Sequence, residues 1–293
     1  MPDSPPRYLT TRELADLLRV KERKVYELAA SGELPCTRAT GKLLFPREEI
    51  EAWLERHRAG RTAAERPTVI VGSHDPLLEW TLRESRSGIA AFLDGSLDGL
   101  MRMARGEAIA GGLHLPEGGA EDWNREHVQR ELPGEPVALV EWAWREQGLI
   151  VAPGNPLNIH SLEDLKGRRF VPRQREAGTY VLLERLLGAA GMDPGELELL
   201  APPARTQTEV AVAVAEGKAD AGLGLACVAR QLKLDFVPVT RERYDLLVWR
   251  QAYFEEPLQR LIAFCRGPAF AAKAAELGGY DVTGFGRVHY NGP

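Results

Sequence analysis

The chain is short of the residues that staple a protein or load it with a metal. It has three cysteines and six histidines in 293 residues. Cys36, Cys227 and Cys265 stand far apart, without metal-ligand spacing. An odd, scattered set of thiols argues against a disulfide framework and against a zinc site. Cys227 and Cys265 fall in apolar runs and read as buried free thiols. No apolar run approaches the length of a membrane span, so no membrane partner is expected. The opening Met-Pro-Asp-Ser-Pro-Pro has neither the basic nor the apolar region of a secretory leader, so a cytoplasmic location is expected. Catalytic signatures are missing too. There is no Gly-x-Ser-x-Gly elbow, Walker loop or zincin pair. Gly222 and Gly224 make only a fragment of a dinucleotide fingerprint. Ser73, His74 and Asp75 are triad residue types, but sequence neighbours rarely face one another in catalytic geometry. Neither catalysis nor a cofactor is expected.

What is present is an ordinary globular composition, 44% hydrophobic and 27% charged, long enough for two or three domains. The net charge of −5 is unevenly spread. Residues 1–66 hold 13 Lys/Arg against 11 Asp/Glu, a net of +2, and the remainder holds 24 against 31, a net of −7. A mildly basic head on an acidic body suits a regulator better than a generic polyanion binder.

The head reads as helix, turn, helix, hairpin and closing helix. Tyr8 to Leu18 reads as a capped amphipathic helix, with Thr10 and Glu13 at capping-box spacing and Leu14, Leu17 and Leu18 on one face. Val20 marks a turn. Lys21, Arg23 and Lys24 open the next helix, with Val25 and Leu28 facing inward, and Ser31-Gly32 ends it. Thr37 to Phe45 makes a two-stranded wing with its tip at Ala39-Thr40-Gly41-Lys42. Pro46 to Arg58 closes the unit, burying Ile50, Trp53 and Leu54. Residues 1–60 therefore form one domain, 61–67 a linker too short for a dimerising coiled coil, and 68–293 a second domain. A homodimer reading a palindrome would need a contact elsewhere.

Residues 68–293 alternate helix and strand and predict an α/β domain. Helices are expected near 77–86, 97–105, 162–165, 179–190, 210–216 and 258–265. Strands are expected near 89–92, 108–111, 137–144, 149–152, 169–171, 221–224, 235–239 and 244–248. Val137 to Pro153 is a long strand with a polar middle, suited to crossing between two lobes, and Tyr244 to Val248 can return the chain. Lobe one is then 68–147 with 249–293, and lobe two 148–246. Whether 249–293 completes lobe one or makes a dimer contact stays open.

Turns after parallel strands bind ligands in such folds. Ser73 follows a buried strand and Gly72, and its hydroxyl either meets a ligand or caps a helix. His74 either donates to an anion or packs. Asp75-Pro76 reads as a cap and first helical residue. Ser96 occupies a second such turn. His114 follows Gly111-Gly112 near the same rim, as a ligand group or a core histidine. Arg173 can clamp an oxyanion or make a salt bridge. Gly178 and Thr179 begin a lobe-two helix whose amides and hydroxyl face inward. Tyr244 sits at the return crossing with a phenol to donate, and Asp220 reads as structural.

Two resemblances add to this. Tyr8 to Leu18, Val25-Tyr-Glu-Leu-Ala-Ala-Ser-Gly-Glu-Leu-Pro and Phe45-Pro-Arg-Glu-Glu-Ile-Glu-Ala-Trp-Leu together resemble the winged helix-turn-helix of the excisionase and MerR-like families. The resemblance implies a double-stranded DNA operator as partner. The second helix would enter the major groove by its N-terminal end. Thr11, Arg12, Lys21, Arg23, Lys24 and Tyr26 would contact DNA, with Arg38 and Lys42 contributed by the wing. The rival reading is a solvated basic face on a protein-interaction domain.

Arg145-Glu-Gln-Gly-Leu-Ile-Val-Ala-Pro-Gly-Asn-Pro, Ser161-Leu-Glu-Asp-Leu-Lys-Gly, Glu216-Gly-Lys-Ala-Asp-Ala-Gly-Leu-Gly and Glu242-Arg-Tyr-Asp-Leu resemble type II periplasmic-binding-protein-like domains of bacterial regulators. That resemblance implies a small oxyanion ligand, molybdate or tungstate first, held through its oxygens with no protein-bound metal. The chain departs from the family at Arg173-Gln-Arg-Glu-Ala-Gly-Thr-Tyr, where the family has Arg-Gln-Arg-Gly-Ser-Gly-Thr-Arg. A serine hydroxyl is lost there and Glu176 has entered. The expectation is a multidomain α/β transcription regulator sensing an oxyanion. The alternatives are a regulator answering to a small organic acid, and an anion-binding or storage protein that leaves DNA alone.

Overall fold

Thr10 sets the start of the first helix. Its hydroxyl accepts from the Glu13 amide at 3.3 Å, and the Glu13 carboxylate accepts from the Thr10 amide at 2.7 Å. These are the reciprocal bonds that the Thr-x-x-Glu spacing predicts. The helix spans Thr11–Leu18 and stops at Arg19, where φ is 54°. Tyr8–Thr10, expected within that helix, is a strand instead. It pairs antiparallel with Lys42–Pro46, which drops Leu9 into the core.

The computed structural model describes residues 6–39, 41–56, 66–119 and 122–293, and the chain divides into two compact units, Met1–Ala64 and Glu65–Pro293. The first unit continues with the helix Glu22–Ala30, the hairpin Thr37–Ala39 and Lys42–Pro46, and the helix Arg47–Arg56. Thr40 at the wing tip, His57 and Arg58 of the closing helix and linker positions 61–65 lie outside the described residues. Leu14, Val25, Phe45 and Ile50 are fully buried together. Leu17, expected on that face, is 46% exposed. Leu14 and Leu18, one turn apart, fill the inward stripe without it.

In the second unit one mixed sheet carries both lobes. Its order is Ala90–Phe92, Val69–Gly72, Ala110–Leu113, Asp235–Trp249, Val137–Val151, Ala221–Leu225, Arg169–Phe170 and Glu198–Leu199. Val137–Val151 and Asp235–Trp249 have 15 residues each and pair antiparallel along their whole length. At one end their outer neighbours are Ala110–Leu113 on one side and Tyr280–Asp281 with Val288–Asn291 on the other. At the other end Ala221–Leu225 takes over. The crossing between lobes is thus two continuous strands. The strands expected at 235–239 and 244–248 merge, because Arg241, Glu242 and Arg243 between them still pair with Glu146, Arg145 and Trp144. Register slips after Pro238 and after Tyr244 re-aim the side chains at the crossing.

Residues 249–293 pack mainly on the first-lobe end of the sheet, with Leu277 and Tyr280 reaching the core of the other end too. Leu258, Leu261, Cys265, Phe270 and Ala274 share a core with Ile70, Leu77 and Leu78. Trp142 meets the edges of Phe270 and Phe285 at 5.0 and 5.7 Å. Truncating a phenylalanine buried like Phe270 costs about 3–5 kcal/mol. The helices Pro76–Glu84, Ser96–Ala104, Gly178–Ala189, Gln207–Ala215 and Glu256–Cys265 fall close to their expected positions. The segment expected near 162–165 is a single 3-10 turn, Glu163–Leu165. Arg125–Glu131, Ala226–Gln231 and Pro268–Leu277 are further helices that sequence periodicity does not reveal, being short or dominated by alanine. Among the described residues no helix is long and apolar enough to cross a membrane.

Candidate functional site

The strand Val69–Gly72 ends at a glycine with φ of 105°, which turns the chain tightly into Ser73. The Ser73 amide donates to Gly112 O at 2.8 Å, and its carbonyl accepts from the Tyr244 hydroxyl at 2.6 Å. Asp75 then caps the helix Pro76–Glu84 by accepting from the Leu78 amide at 2.7 Å. The other Asp75 oxygen takes the Arg145 guanidinium at 3.0 Å and the Tyr280 hydroxyl at 2.7 Å. Arg145 also bonds Glu242, its cross-strand partner at the lobe crossing. Gln147 donates to the same Glu242 oxygen at 2.9 Å. Burial alone would raise the Glu242 carboxyl, but Arg145 and His114 hold it down at about 2.

His114 joins the two sides of lobe one. Its Nδ1 lies 2.8 Å from Glu242 Oε2, its Nε2 lies 2.7 Å from Ser73 Oγ, and its amide donates to Ser96 Oγ at 3.2 Å. Burial lowers its pKa, with Arg145 and Arg173 adding to the effect and Glu242 opposing it. An ionised Glu242 only accepts, so the neutral ring carries its proton on Nδ1. Nε2 is then an acceptor, and the Ser73 hydroxyl donates to it. The chain Ser73, His114, Glu242 has the bonding order of a serine hydrolase triad. Here all three side chains are completely buried, and the relay fixes a tautomer. Ser73 therefore turns lone pairs, not its proton, toward any ligand. Ser96 keeps its proton to donate.

Lobe two meets this group through the start of the helix Gly178–Ala189. A β-carbon on Gly178 would lie 2.8 Å from both His114 Cε1 and Ser96 Oγ, so only glycine fits against lobe one there. Thr179 accepts from Gln207 Nε2 at 2.9 Å, and the Gln207 carbonyl oxygen is buried without a partner. Arg173 is 3% exposed and bonds only neutral oxygens: Gln174 Oε1, Ala204 O and Arg205 O at 3.2, 3.1 and 2.8 Å. Its Nη1 has no partner. Burial depresses this guanidinium to about 10, while Glu209 and Asp94 pull the other way from a distance. Both of those carboxylates are engaged by Arg205.

The lobes are in contact along this seam. The Leu97 amide donates to Glu176 O at 3.0 Å, Gln174 Nε2 donates to Asp94 O at 2.7 Å, and Arg205 grips the Asp94 carboxylate at 2.6 and 2.7 Å. Of the eight candidate ligand residues, Ser73, Ser96, His114, Gly178 and Tyr244 come together directly, and Thr179 and Arg173 adjoin them from lobe two. His74 is tied instead to Glu79 of the helix that follows it, at 3.2 Å, with its Nδ1 buried and without a partner. Asp220 pairs with Arg169 at 2.6 Å in a structural bridge.

On the small unit, Arg12, Lys21, Arg23, Lys24, Tyr26, Arg38 and Lys42 are exposed. Thr11 departs from the expectation. It is buried at the first turn of its helix, where the side chain packs inward and is not offered to the surface. Arg23 bonds Glu27 at 3.0 Å, and Lys24 lies 4.0 Å from the same carboxylate, so the unit's own acid answers part of this basic face.

The family described as PBP superfamily domain matches residues 80–266, more than half of the chain. The chain belongs to the PBP superfamily. A helix-turn-helix domain matches residues 8–58, and a helix-turn-helix domain joined to an effector-binding PBP-like domain makes a DNA-binding regulator. The uncharacterized protein YvgK of Bacillus subtilis strain 168 is 28% identical over 299 residues, covering 95% of this chain and 96% of that protein. A phosphate ABC transporter substrate-binding protein of Clostridium perfringens, solved with bound phosphate, superposes with a TM-score of 0.54 at 14% identity, covering 71% of this chain and 96% of that one. A tungstate ABC transporter structure from Geobacter sulfurreducens gives 0.52 at 15% identity, covering 73% and 100%. At such identities the likeness is one of fold.

The PBP superfamily match stops short of Ser73 and Asp75 on one side and Tyr280 on the other, although all three join the buried network. Arg145, Gln147, Gln207 and Glu242 are site residues that sequence reasoning missed. Their signal was present in the sequence. Arg145-Glu-Gln and Arg241-Glu-Arg interrupt two apolar strands, and polar residues inside a strand buried on both faces need partners.

Proposed function

We propose that this chain is a one-component transcription regulator whose PBP superfamily domain takes a small organic acid between its lobes and whose helix-turn-helix domain binds operator DNA. Arg173 carries the reading. A buried guanidinium bonded only to neutral oxygens, with one nitrogen unsatisfied, is costly to maintain until an anion arrives. The rest of the seam favours an organic acid over molybdate or tungstate. Gln147 Oε1 and Gln207 Oε1 are buried acceptors without partners, and Ser73 presents lone pairs. A molybdate or tungstate dianion offers only acceptor oxygens and could satisfy none of these acceptors. A carboxylic acid bearing a hydroxyl or an N–H uses both kinds of group. Binding across the seam favours whichever lobe arrangement contacts the ligand better, and DNA affinity follows to the extent that the two states differ.

The test is a thermal-shift screen with molybdate, tungstate, sulfate, phosphate and small carboxylates, followed by operator binding with each stabilising compound. Carboxylates raising the melting temperature and changing DNA affinity is the expected result. A shift confined to molybdate and tungstate would replace the ligand class. A shift without any change in DNA binding would favour the storage reading.

A further inference from the structure

The seam's charges are nearly balanced before any ligand enters. Arg145 is held by two carboxylates, Asp75 and Glu242, with all three side chains completely buried. His114 is neutral, its pKa lowered by burial. Taking Arg145 and Arg173 as cations and Asp75 and Glu242 as anions, the formal sum is zero. Of Arg145 and Arg173, the cation not bonded to a carboxylate is Arg173, on the lobe-two side. Arg173 acts electrostatically on His114 and is acted on by Arg145, while Gly178 of the same lobe packs against Ser96 and His114 so closely that no β-carbon fits; His114 in turn bonds Glu242.

From this arrangement, and resting on the reading of the seam as an anion site, we infer that Glu242 sets the ligand's charge at a single negative unit. One negative charge pairs with Arg173, which bonds only neutral oxygens, and already takes the formal sum to minus one. A second would lie in a dry seam already holding the Glu242 carboxylate, which Arg145, Gln147 and His114 keep ionised and immobile. At a protein-like dielectric, a like unit charge held in the same buried network weakens anion binding by roughly tenfold or more. Glu242 is thus a specificity-determining residue: monocarboxylates enter and fully ionised dianions are turned away.

The experiment compares acetate and sulfate at matched ionic strength, by thermal shift and direct titration, on the full chain and on its Glu242→Gln and Arg173→Gln variants. Both probes are small enough for any site that holds an organic acid. Acetate is expected to stabilise the wild-type chain saturably and sulfate not. Glu242→Gln, which keeps the shape and removes the charge, is expected to gain sulfate affinity by about tenfold or more. Arg173→Gln is expected to lose the acetate response. Sulfate stabilising the wild-type chain more than acetate overturns the inference while leaving an anion site in place, and this arm decides the matter even if Glu242→Gln fails to fold. An unchanged sulfate response in a folded Glu242→Gln overturns it as well. No response to either anion in any of the three proteins overturns both the anion site and the charge rule built on it.

Discussion

Lys21, Arg23 and Lys24 stand in solvent around the start of Glu22–Ala30, whereas Arg145 and Arg173 are 1% and 3% exposed in the lobe seam. The same residue types face opposite physics. In solvent each charge is screened, pairs cheaply and is nearly independent of its neighbours. In the seam Arg145 is held by Asp75 and Glu242, so that removing one member strands the others, while Arg173 waits among neutral oxygens. A polyelectrolyte such as DNA can be held by the first arrangement through the sum of many weak attractions. A small ligand that must be told apart from its analogues needs the second.

The largest break in that comparison should come from Arg145→Met. It leaves Asp75 and Glu242 buried without their cation, and the second unit should lose roughly 3–5 kcal/mol in urea unfolding. A loss below about 1 kcal/mol would mean that the network is not coupled. Next comes Lys21→Glu with Lys24→Glu. Operator affinity should fall on the order of a hundredfold or more, and the wild-type salt slope should flatten by about 0.9 for each phosphate the variant no longer neutralises. The melting temperature should hardly move, because both side chains are exposed.

A pH titration separates the regions more finely. Burial lowers the His114 pKa below 6.5, so the unfolded chain takes up this proton first as pH falls. The stability His114 lends is full above about 6.5 and drains as pH falls below it toward the folded pKa, in a surrounding of Glu242, Arg145 and Arg173. Unfolding measured between about pH 7.5 and 5 should therefore show declining stability. His114→Gln should reduce that slope by up to about 1.4 kcal/mol per pH unit. Burial lowers His127 as well, so some slope should remain. An unchanged slope would mean that folding leaves the His114 pKa where it is in the unfolded chain, and a steeper one that the folded ring is charged. The smallest effect is expected from Glu27→Ala, which releases Arg23 and Lys24. Stability should change by less than about 0.5 kcal/mol, while non-specific DNA affinity should rise. A stability cost near that of Arg145→Met would erase the contrast between surface and seam.

Local chemistry was legible in the sequence wherever a bond closes within a few residues. The Thr10–Glu13 capping box, the Asp75 cap with Pro76 behind it and the long strand through Arg145 all follow from spacing, because their partners lie three or four positions away or along a periodic face. The buried state of Cys227 and Cys265 followed from the apolar runs around them. Tertiary structure decided what distance in the chain concealed. Tyr8–Thr10 left the first helix because a strand more than 30 positions on offered it pairing. Phe270 and Phe285, far on in the chain, close over Trp142. Above all, His114 met Glu242 across 128 positions and Ser73 across 41, and that meeting turned a candidate donor hydroxyl into an acceptor. Residue type and spacing determine which groups can bond nearby. Which buried charge answers which, and therefore what a ligand finds there, is settled only when two strands of 15 residues each bring distant segments into one dry seam.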